Sequence, residues 1–475
     1  MQLTTLSVLS ETEIKKIHDA SLDILQTCGV KVLRPQTLDF LGRLGLPVDR
    51  ENQLVRFPRA CVEDALSHAP HQFDVFDREG QFAFTLGGGM PKIAAGHNAV
   101  FWVDSNTGET RNSTVADVER FARICEELGG IDMIGIPVMP QDVSVPQASL
   151  LYAVKACIEN SRKPIFFSTD NPAVNRAVMR MLEAAVPGDL KQTPYGISQF
   201  SPTSPLFWEG PVLEGVEDTV RAGVPLAILP EPNAGVTAPY TLAGLLTVNN
   251  AEWLSGLAIS QLLQPGAKVL YANSWTTTDM RNGYALVGSA ETSICRIAGA
   301  QLARFYRIPS HTTAPNSDNH AHDEQNAWEK TFSTFCAVAA GNDLVVNCGM
   351  FATGMTCSDE QLIMDEEISA MSRRIARGIE INDATIAKDL VKEIGPRGTG
   401  YLTAYHTLER LHGNEFFTPR VAVRGPRALW EARGSKDTTQ LAREQALELG
   451  ARTSARIDAA RQSRLAEILQ AYTSS

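Results

Sequence analysis

The sequence predicts an α/β fold: a closed TIM (β/α)8 barrel with an N-terminal α/β extension and a C-terminal helical cap. From about Lys92 onward, short apolar runs alternate with amphipathic segments, a pattern typical of parallel strands joined by crossover helices. Eight such runs can be counted, and eight strand–helix units close a TIM barrel. The predicted strands begin near Ile93, Ile131, Pro164, Pro194, Pro225, Lys268, Pro309 and Asp343.

Helical segments separate these strands and support the barrel. A doubly wound open sheet is the alternative, but it usually carries a Gly-rich dinucleotide-binding turn before a helix. That turn is missing, because the glycines at 87–89 precede no clear crossover helix. The predicted helices span residues 115–127, 148–159, 173–185, 212–222, 242–263, 289–305 and 326–340.

Regions of different character flank the barrel. A helix is predicted from about Glu11 to Cys28, because Ser10 and Glu13 form a capping box and Gly29 follows the last turn. After Phe351 the sequence becomes helical and charged, and no Pro-, Gly- or Ser-rich linker separates it from the barrel. The predicted organisation is an extension at 1–90, a barrel at 91–357 and a helical segment packed on the barrel at 358–475.

Composition excludes several classes of protein. The net charge of -11 at pH 7 opposes nucleic-acid binding, whose affinity comes chiefly from Lys and Arg at phosphates. The N-terminal residues lack the basic and apolar regions of a signal peptide, and no run of eighteen apolar residues occurs. The eight cysteines include no CxxC pair and are interpreted as reduced thiols. We expect a cytoplasmic protein that binds neither nucleic acid nor a membrane.

Three stretches of the chain resemble the trimethylamine methyltransferase family. They are the first predicted helix with the Cys28-Gly29-Val30 turn, the Asp318–Gln325 segment with Glu329 and Lys330, and Gly400-Tyr401-Leu402 with His406-Thr407-Leu408. The resemblance spans nearly the whole chain. It implies a TIM barrel that transfers a methyl group to the Co(I) corrinoid (cobalamin) of a separate carrier protein. It also implies a homo-oligomer, with no cofactor bound permanently to this chain.

The substrate follows from one departure within that resemblance. The name-giving members of the family carry pyrrolysine in the barrel, whereas this sequence contains only standard residues. It therefore resembles the branch without pyrrolysine, whose members demethylate quaternary amines such as glycine betaine. We expect glycine betaine to be the methyl donor and dimethylglycine to be the product.

Such a reaction sets clear requirements for a site. A quaternary ammonium loses a methyl group as a neutral tertiary amine, so no general acid is needed and the protein's task is positioning. Aromatic faces and carboxylates would hold the cation, and hydrogen-bond donors would hold the carboxylate of a betaine. In a TIM barrel, these groups come from the C-terminal ends of the strands.

The segment after the seventh predicted strand is the richest in polar side chains. We expect Asp318 and Glu324 to balance the cation, and Asn316, Asn319 and His320 to donate to the carboxylate. The alternative is that the acids at 323 and 324 simply open the next helix, where the helix dipole favours them.

Other strand ends supply further candidates for substrate binding. Burial in the core is the commoner fate of an aromatic side chain, although Trp275 stands among polar residues. The aromatic candidates are Phe167, Phe200, Tyr271, Trp275 and Phe351, and the polar candidates are His97, Gln199, Glu231, Asn273 and Asn347.

Two alternatives to the methyltransferase remain open on the sequence. A metal-dependent barrel enzyme would use His320 and His322 with Asp318, Asp323 or Asp343. An HxH metal pair usually lies on a strand, where residues two apart share a face, but this pair lies in a predicted loop, so we expect no metal. The other alternative is a non-catalytic protein that binds a betaine.

Overall fold

The region before the barrel contains three helices and five short strands. The computed structural model describes residues 6–395, 398, 400–411, 413 and 415–474. The predicted capping box is confirmed: Glu13 N donates to Ser10 Oγ, and Ser10 N donates to Glu13 Oε2 at 2.8 Å. The elements are α1 (Glu11–Thr27), β1 (Val30–Val32), α2 (Pro35–Arg43), β2 (Val48–Asp49), β3 (Leu54–Val55), α3 (Arg59–His68), β4 (Phe73–Phe76) and β5 (Phe82–Leu86).

Eight parallel strands then form a closed barrel, which confirms the predicted fold class. All eight predicted strands are present, each beginning within about two residues of its predicted start. The barrel strands are β6 (Lys92–Ala95), β9 (Met133–Gly135), β10 (Ile165–Ser168), β11 (Gly196–Phe200), β13 (Leu226–Ile228), β15 (Val269–Asn273), β18 (Ser310–Thr313) and β19 (Leu344–Cys348). The other strands of this region are β7 (Phe101–Val103), β8 (Thr110–Asn112), β12 (Phe207–Trp208), β14 (Asn233–Ala234), β16 (Thr276–Asp279), β17 (Tyr284–Leu286), β20 (Met350–Phe351) and β21 (Thr356–Cys357).

The order of strands around the barrel follows the chain. It runs β6-β9-β10-β11-β13-β15-β18-β19, and β19 pairs with β6 to close the ring. The remaining strands lie outside the barrel: β12 joins β1–β3 in one sheet, while β14, β16 and β17 form another. The pairs β7–β8 and β20–β21 form a third small sheet, and β4 pairs with β5.

One helix follows each barrel strand, and together the eight form the outer ring. Within the described part of the chain, no helix is long and apolar enough to cross a membrane. A short 3-10 helix at Pro146–Ala148 precedes the second of them. The eight are α4 (Val115–Glu127), α5 (Ser149–Asn160), α6 (Pro172–Ala185), α7 (Gly210–Ala222), α8 (Leu242–Leu263), α9 (Ala290–Tyr306), α10 (Glu324–Ala339) and α11 (Asp359–Arg377).

The rest of the chain is helical, as predicted, but its helices differ in how they pack. The last two pack on the outer ring, against α4, α5, α6 and α11. The four before them bury none of their described residues. The helices are α12 (Asp383–Ile386), α13 (Lys388–Ile394), α14 (Tyr405–Leu411), α15 (Arg427–Ala432), α16 (Thr438–Gly450) and α17 (Ala459–Thr473).

The β4–β5 hairpin closes the N-terminal end of the barrel. Asp343 holds the end of this hairpin, because it accepts from Gly87 N at 3.1 Å, Gly88 N at 2.9 Å and Ser310 N at 2.8 Å. Apolar side chains from the hairpin and the strands fill this half of the interior, which leaves only the opposite end open to a ligand. They include Phe73, Val75, Phe84, Leu86, Met133, Phe166, Ile197, Leu229, Leu270 and Leu344.

A fully buried ion pair fastens the last part of the barrel. Lys330 on α10 lies 2.9 Å from Asp365 on α11, and both side chains are 0% exposed. The ammonium also donates to the carbonyl of Met350, and Asp365 accepts from Gly349 N at 2.7 Å. Burial raises the pKa of Asp365, and the ammonium of Lys330 opposes that rise. The pair therefore ties α10, α11 and the end of β19 together.

We expect Lys330→Met to lower the free energy of unfolding by about 3–5 kcal/mol, because it leaves a buried carboxylate without its cation. Arg427→Met is the matched control, since the Arg427–Glu431 pair is exposed and such pairs contribute less than about 1 kcal/mol. Urea denaturation of the two variants measures the difference. Equal losses would contradict the role of the buried pair.

Candidate active site

The C-terminal ends of the barrel strands, here called the mouth, carry the polar side chains of the interior. Successive residues of a strand point to opposite faces, so every second residue points inward. Phe166 and Ile197 face the interior, and the same alternation brings Ser168 and Gln199 to the mouth, while Asp170 follows the end of β10 there. A polar side chain within a strand therefore reaches the mouth only when it occupies an inward-facing position near the C-terminal end of its strand.

His97 reaches the mouth because of an unusual turn directly after β6. Gly96 has a φ of 80°, and a Cβ there would lie 2.7 Å from the Cα of Pro137. Only glycine fits both the backbone conformation and the close approach. The chain turns at Gly96, and His97 meets Gln199 across the barrel.

A layer of neutral polar groups lies above the apolar filling. Gln199 Nε2 donates to His97 Nε2 at 3.2 Å, which leaves the imidazole proton on Nδ1. The ring of Phe166 lies 5.5 Å from that of His97 and 5.2 Å from that of His311, between centroids. Burial lowers the pKa of His97 to about 4 and, with the nearby His97, that of His311 to about 3. Both rings are therefore uncharged at neutral pH.

Two carboxylates without a cation occupy the same end. Glu231 and Asp170 are exposed to solvent, yet the surrounding protein partly desolvates both carboxylates. This desolvation raises the pKa of Glu231 to about 7; the charge of Asp170 adds to the rise and a hydrogen bond with Ser274 opposes it. Desolvation also raises the pKa of Asp170. Among the described residues, no ion pair involves either carboxylate.

Several buried polar atoms near the mouth lack a protein partner among the described residues. They are both ring nitrogens of His311, Oε1 of Gln199, Oδ1 of Asn98 and Oδ1 of Asn347. Buried polar atoms in proteins are nearly always hydrogen-bonded. Unpartnered atoms of this kind also occur elsewhere among the described residues, but these five share one end of the barrel, where a polar ligand or water would complete their bonding.

A bulge in β19 shapes the side of the mouth beside β18. The register with β6 shifts between Val346 and Cys348, and Asn347 there has a φ of 135°, which is rare outside glycine. Its Nδ2 donates to Asn316 Oδ1 at 2.8 Å. Backbone strain of this kind is concentrated at functional sites.

The structure thus brings five of the predicted residues to the mouth, namely His97, Gln199, Glu231, Asn316 and Asn347. Asp170 and His311 join them and were missed. The available signal for Asp170 was its position two residues after the C-terminal end of β10. His311 lies within a strand, and only the inward register of β18 distinguishes it from a packing residue.

The aromatic candidates lie outside the barrel interior. Phe200 faces α7, where a Cβ at Gly215 would lie 2.4 Å from its ring. Trp275 packs against Gly299 of α9, and Tyr271 stacks near Trp253 at 4.6 Å between ring centroids. Phe167 is buried in the layer between barrel and helices, and Phe351 lies 4.9 Å from the ring of His322.

Asn273 also faces the outer layer, where it supports the neighbouring strand. Its Nδ2 donates to the carbonyl of His311 at 3.1 Å, and its Oδ1 accepts from Thr312 Oγ1 at 2.7 Å. Asn273 therefore fixes the backbone of the strand that carries His311.

The segment after β18 is mostly occupied with holding loops. Asp318 accepts from Val287 N at 2.9 Å, Gly288 N at 3.0 Å and Thr353 Oγ1 at 3.1 Å. Asn319 donates to Asp323, while His320 and Glu324 are exposed at the surface. We therefore leave these four out of the proposed site.

The proposed metal ligands are not brought together. Asp343 lies at the N-terminal end of the barrel, whereas His320 follows the C-terminal end of β18. His322 contacts Ser358 Oγ through Nε2 at 3.3 Å. The described residues contain no group of three His, Cys, Asp or Glu side chains that could hold a metal ion.

Comparisons with known proteins agree with this barrel fold. The family model for trimethylamine methyltransferase (MTTB) matches residues 1–474. Trimethylamine methyltransferase MttB of Desulfitobacterium hafniense is 31% identical over 446 residues, which cover 94% of this chain and 89% of that relative. Glycine betaine methyltransferase of the same species is 29% identical over 442 residues, covering 92% and 90%.

The solved structure of Methanosarcina barkeri monomethylamine methyltransferase (MtmB) has a TM-score of 0.51 with this chain at 12% identity, covering 94% and 89% of the two chains. That likeness shows the fold alone. Fold and mouth define a TIM-barrel protein with a polar recess at the C-terminal end of its strands. The chain belongs to the trimethylamine methyltransferase family.

The low pKa of His311 predicts an acid-dependent loss of stability. The unfolded chain binds a proton at this ring below about pH 6.5 and the folded chain excludes it until about pH 3, so stability falls as the pH drops through that window. Relative to His311→Gln, the wild type should lose roughly 2 kcal/mol between about pH 6.5 and about pH 5. Urea denaturation at both pH values measures this, with His68→Gln as an exposed control. A constant difference between wild type and His311→Gln would contradict the prediction.

Proposed function

We propose that this protein is a methyltransferase that takes a methyl group from a quaternary amine of the glycine betaine type. The acceptor would be the Co(I) corrinoid of a separate carrier protein, as the family resemblance implies. The observation that carries the proposal is the pair of carboxylates, Glu231 and Asp170, which form no ion pair with a described residue and share the mouth with neutral polar groups.

The charge of the recess favours a permanent cation. A tetraalkylammonium has no N–H to donate, so it is held by negative charge and not by hydrogen bonds. Glu231 and Asp170 provide that charge, and the neutral rings of His97 and His311 add no repulsion. A neutral imidazole can also donate one N–H, which suits the carboxylate at the other end of a betaine.

The polar layer supplies donors for such a carboxylate. Gln199 occupies Nε2 of His97, so the proton on Nδ1 is available to a ligand. Neither ring nitrogen of His311 is bonded to a described residue, so its one ring proton is available as well. With ammonium and carboxylate held by different groups, the betaine would be fixed at both ends. One methyl group would then point out of the mouth.

The reaction needs positioning more than acid–base chemistry. In the proposed transfer the C–N bond breaks, its electron pair stays with nitrogen, and the product is a neutral tertiary amine. The acceptor supplies the pair of electrons that forms the new bond to carbon. Holding donor and acceptor in line is the main contribution that a protein can make to such a step. The carrier would approach the substrate from the mouth, because the β4–β5 hairpin and apolar side chains fill the other end of the barrel.

Glu231→Gln tests the cation site directly. Loss of the charge should weaken glycine betaine binding about tenfold or more, equivalent to about 1.4 kcal/mol or more. Isothermal titration calorimetry measures the dissociation constant. Glu324→Gln is the matched control, because that carboxylate is exposed at the start of α10. Equal affinities of wild type and Glu231→Gln would remove Glu231 from the site.

Binding should also depend on pH in a direction set by Glu231. Only the ionised carboxylate attracts the cation, and in the free protein its pKa is raised to about 7. Affinity for glycine betaine should therefore rise by up to about tenfold per pH unit below pH 7 and level off above it. Calorimetry across this range gives the profile, and Glu231→Gln should flatten it. An unchanged slope in the variant would assign the titration to another group.

Turnover separates an enzyme from a binding protein. The assay supplies glycine betaine, or trimethylamine for comparison, with Co(I) cobalamin and a matched corrinoid protein, and follows methylcobalamin formation. Methyl transfer from glycine betaine would support the proposal. Tight binding without transfer would favour the non-catalytic betaine-binding protein, and transfer from trimethylamine alone would overturn the proposed substrate.

A further inference from the structure

An internal segment of the chain exposes apolar side chains and buries none of its described residues. Residues 379–411, here called the arm, follow α11 and include α12, α13 and α14. No described residue between 379 and 420 is buried. A segment this apolar is not a solvated surface loop. Its large exposed apolar residues are Ile379, Ile381, Ile386, Val391, Tyr401, Leu402, Tyr405, Leu408 and Leu411.

The arm begins at the end of the barrel opposite the mouth. Arg373, near the end of α11, donates to the carbonyls of Pro91 at 3.0 Å and Gly130 at 2.8 Å, beside the starts of β6 and β9. Arg374 donates to the carbonyl of Glu415 at 2.6 Å, so the chain leaves and returns at nearly the same place. A partner that docks over the mouth therefore does not meet the root of the arm.

A second exposed apolar surface runs along α10 and α11 and reaches the root of the arm at the last turns of α11. On α10, Trp328 is 55% exposed and Phe332 is 64% exposed; on α11, Met371 and Ile375 are also exposed. Between the two helices runs a groove of about 590 Å³. Its apolar lining is Ala327, Met364, Ile368, Met371 and Val421, and its other lining residues are polar or charged. None of its lining residues belongs to the arm.

We propose that the arm of one copy of this chain docks on the α10–α11 surface of a second copy, and that the second copy receives its arm in return. In α14, Tyr405, Leu408 and Leu411 recur at helical spacing, which suits a helix lying in an apolar groove. Because the arm leaves from the last turn of α11, a two-fold axis near that helix brings each arm to the partner's groove. Such an exchange is closed and self-complementary.

The area available is sufficient for a stable dimer. An exposed aliphatic or aromatic side chain offers on the order of 100 Å² of apolar surface. Nine such residues on each arm give roughly 900 Å² per chain, or about 1,800 Å² over two copies, within the range of stable protein interfaces. The groove and the exposed side chains of α10 and α11 provide a receiving surface that is also partly apolar.

The test is the mass of the full-length protein in solution. Sedimentation velocity at micromolar concentration should give wild type a mass of at least two chains of 51.7 kDa. Tyr405→Glu with Leu408→Glu, and separately Phe332→Glu, should each give the mass of one chain. Tyr284→Glu is the matched control, because Tyr284 is 73% exposed but lies on β17, outside both surfaces; it should leave the mass unchanged. All replaced side chains are exposed, and circular dichroism confirms that each variant folds.

Three results would overturn the proposal. Wild type with the mass of one chain would mean that another molecule covers the arm. An arm variant with wild-type mass would show that the arm makes no essential contact between copies. Dissociation by the arm variant but not by Phe332→Glu would remove the α10–α11 surface as the receiving site. None of these outcomes bears on glycine betaine binding, so the proposed function is tested separately.

Discussion

Closure of the barrel between β19 and β6 is the constraint on which the rest of the molecule depends. Eight strands enclose an interior that side chains can just fill, so each inward position is either packing or part of a site. The β4–β5 hairpin and the apolar side chains occupy one end. Only the mouth remains for polar groups. Lys330 and Asp365 hold the segment that completes the ring, because their ion pair joins α10 and α11 to the end of β19.

Burial at the mouth shifts the pKa values of the histidines and of Glu231 in opposite directions. Desolvation disfavours both a protonated histidine and an ionised carboxylate, so His97 and His311 have lowered pKa values while Glu231 has a raised one. A cation bound in the proposed site would lower the pKa of Glu231 again, and the two histidines would stay neutral. Perturbed groups of this kind, together with orphaned polar atoms, mark functional sites.

The fold was predictable because the evidence for it is repeated along the chain. Eight alternations of strand and helix give the same answer, and an error at one of them would not change it. The site depends instead on single registers. Phe167 and Tyr271 lie within barrel strands and Phe200 ends one, but one residue of register places all three toward the helices, while Phe166 and Gln199 face inward. Asp318 was expected to meet a cation, yet it binds the backbone at Val287 and Gly288 through contacts between distant loops. Composition carries no information on such contacts.

The functions proposed for this chain use different parts of the barrel. α11 begins near the mouth, where Ser358 caps it, and ends beside the starts of β6 and β9, where the arm leaves. An exchange of arms between copies would therefore bury the sides and the N-terminal end of each barrel, with the receiving groove running along α10 and α11 from the loop after β18. A large carrier protein needs access to the mouth if it is to present an acceptor to a methyl group held in the recess. Assembly would use residues on the outer ring and the arm, and transfer would use side chains inside the ring of strands, so the two proposed functions depend on different residues of this chain.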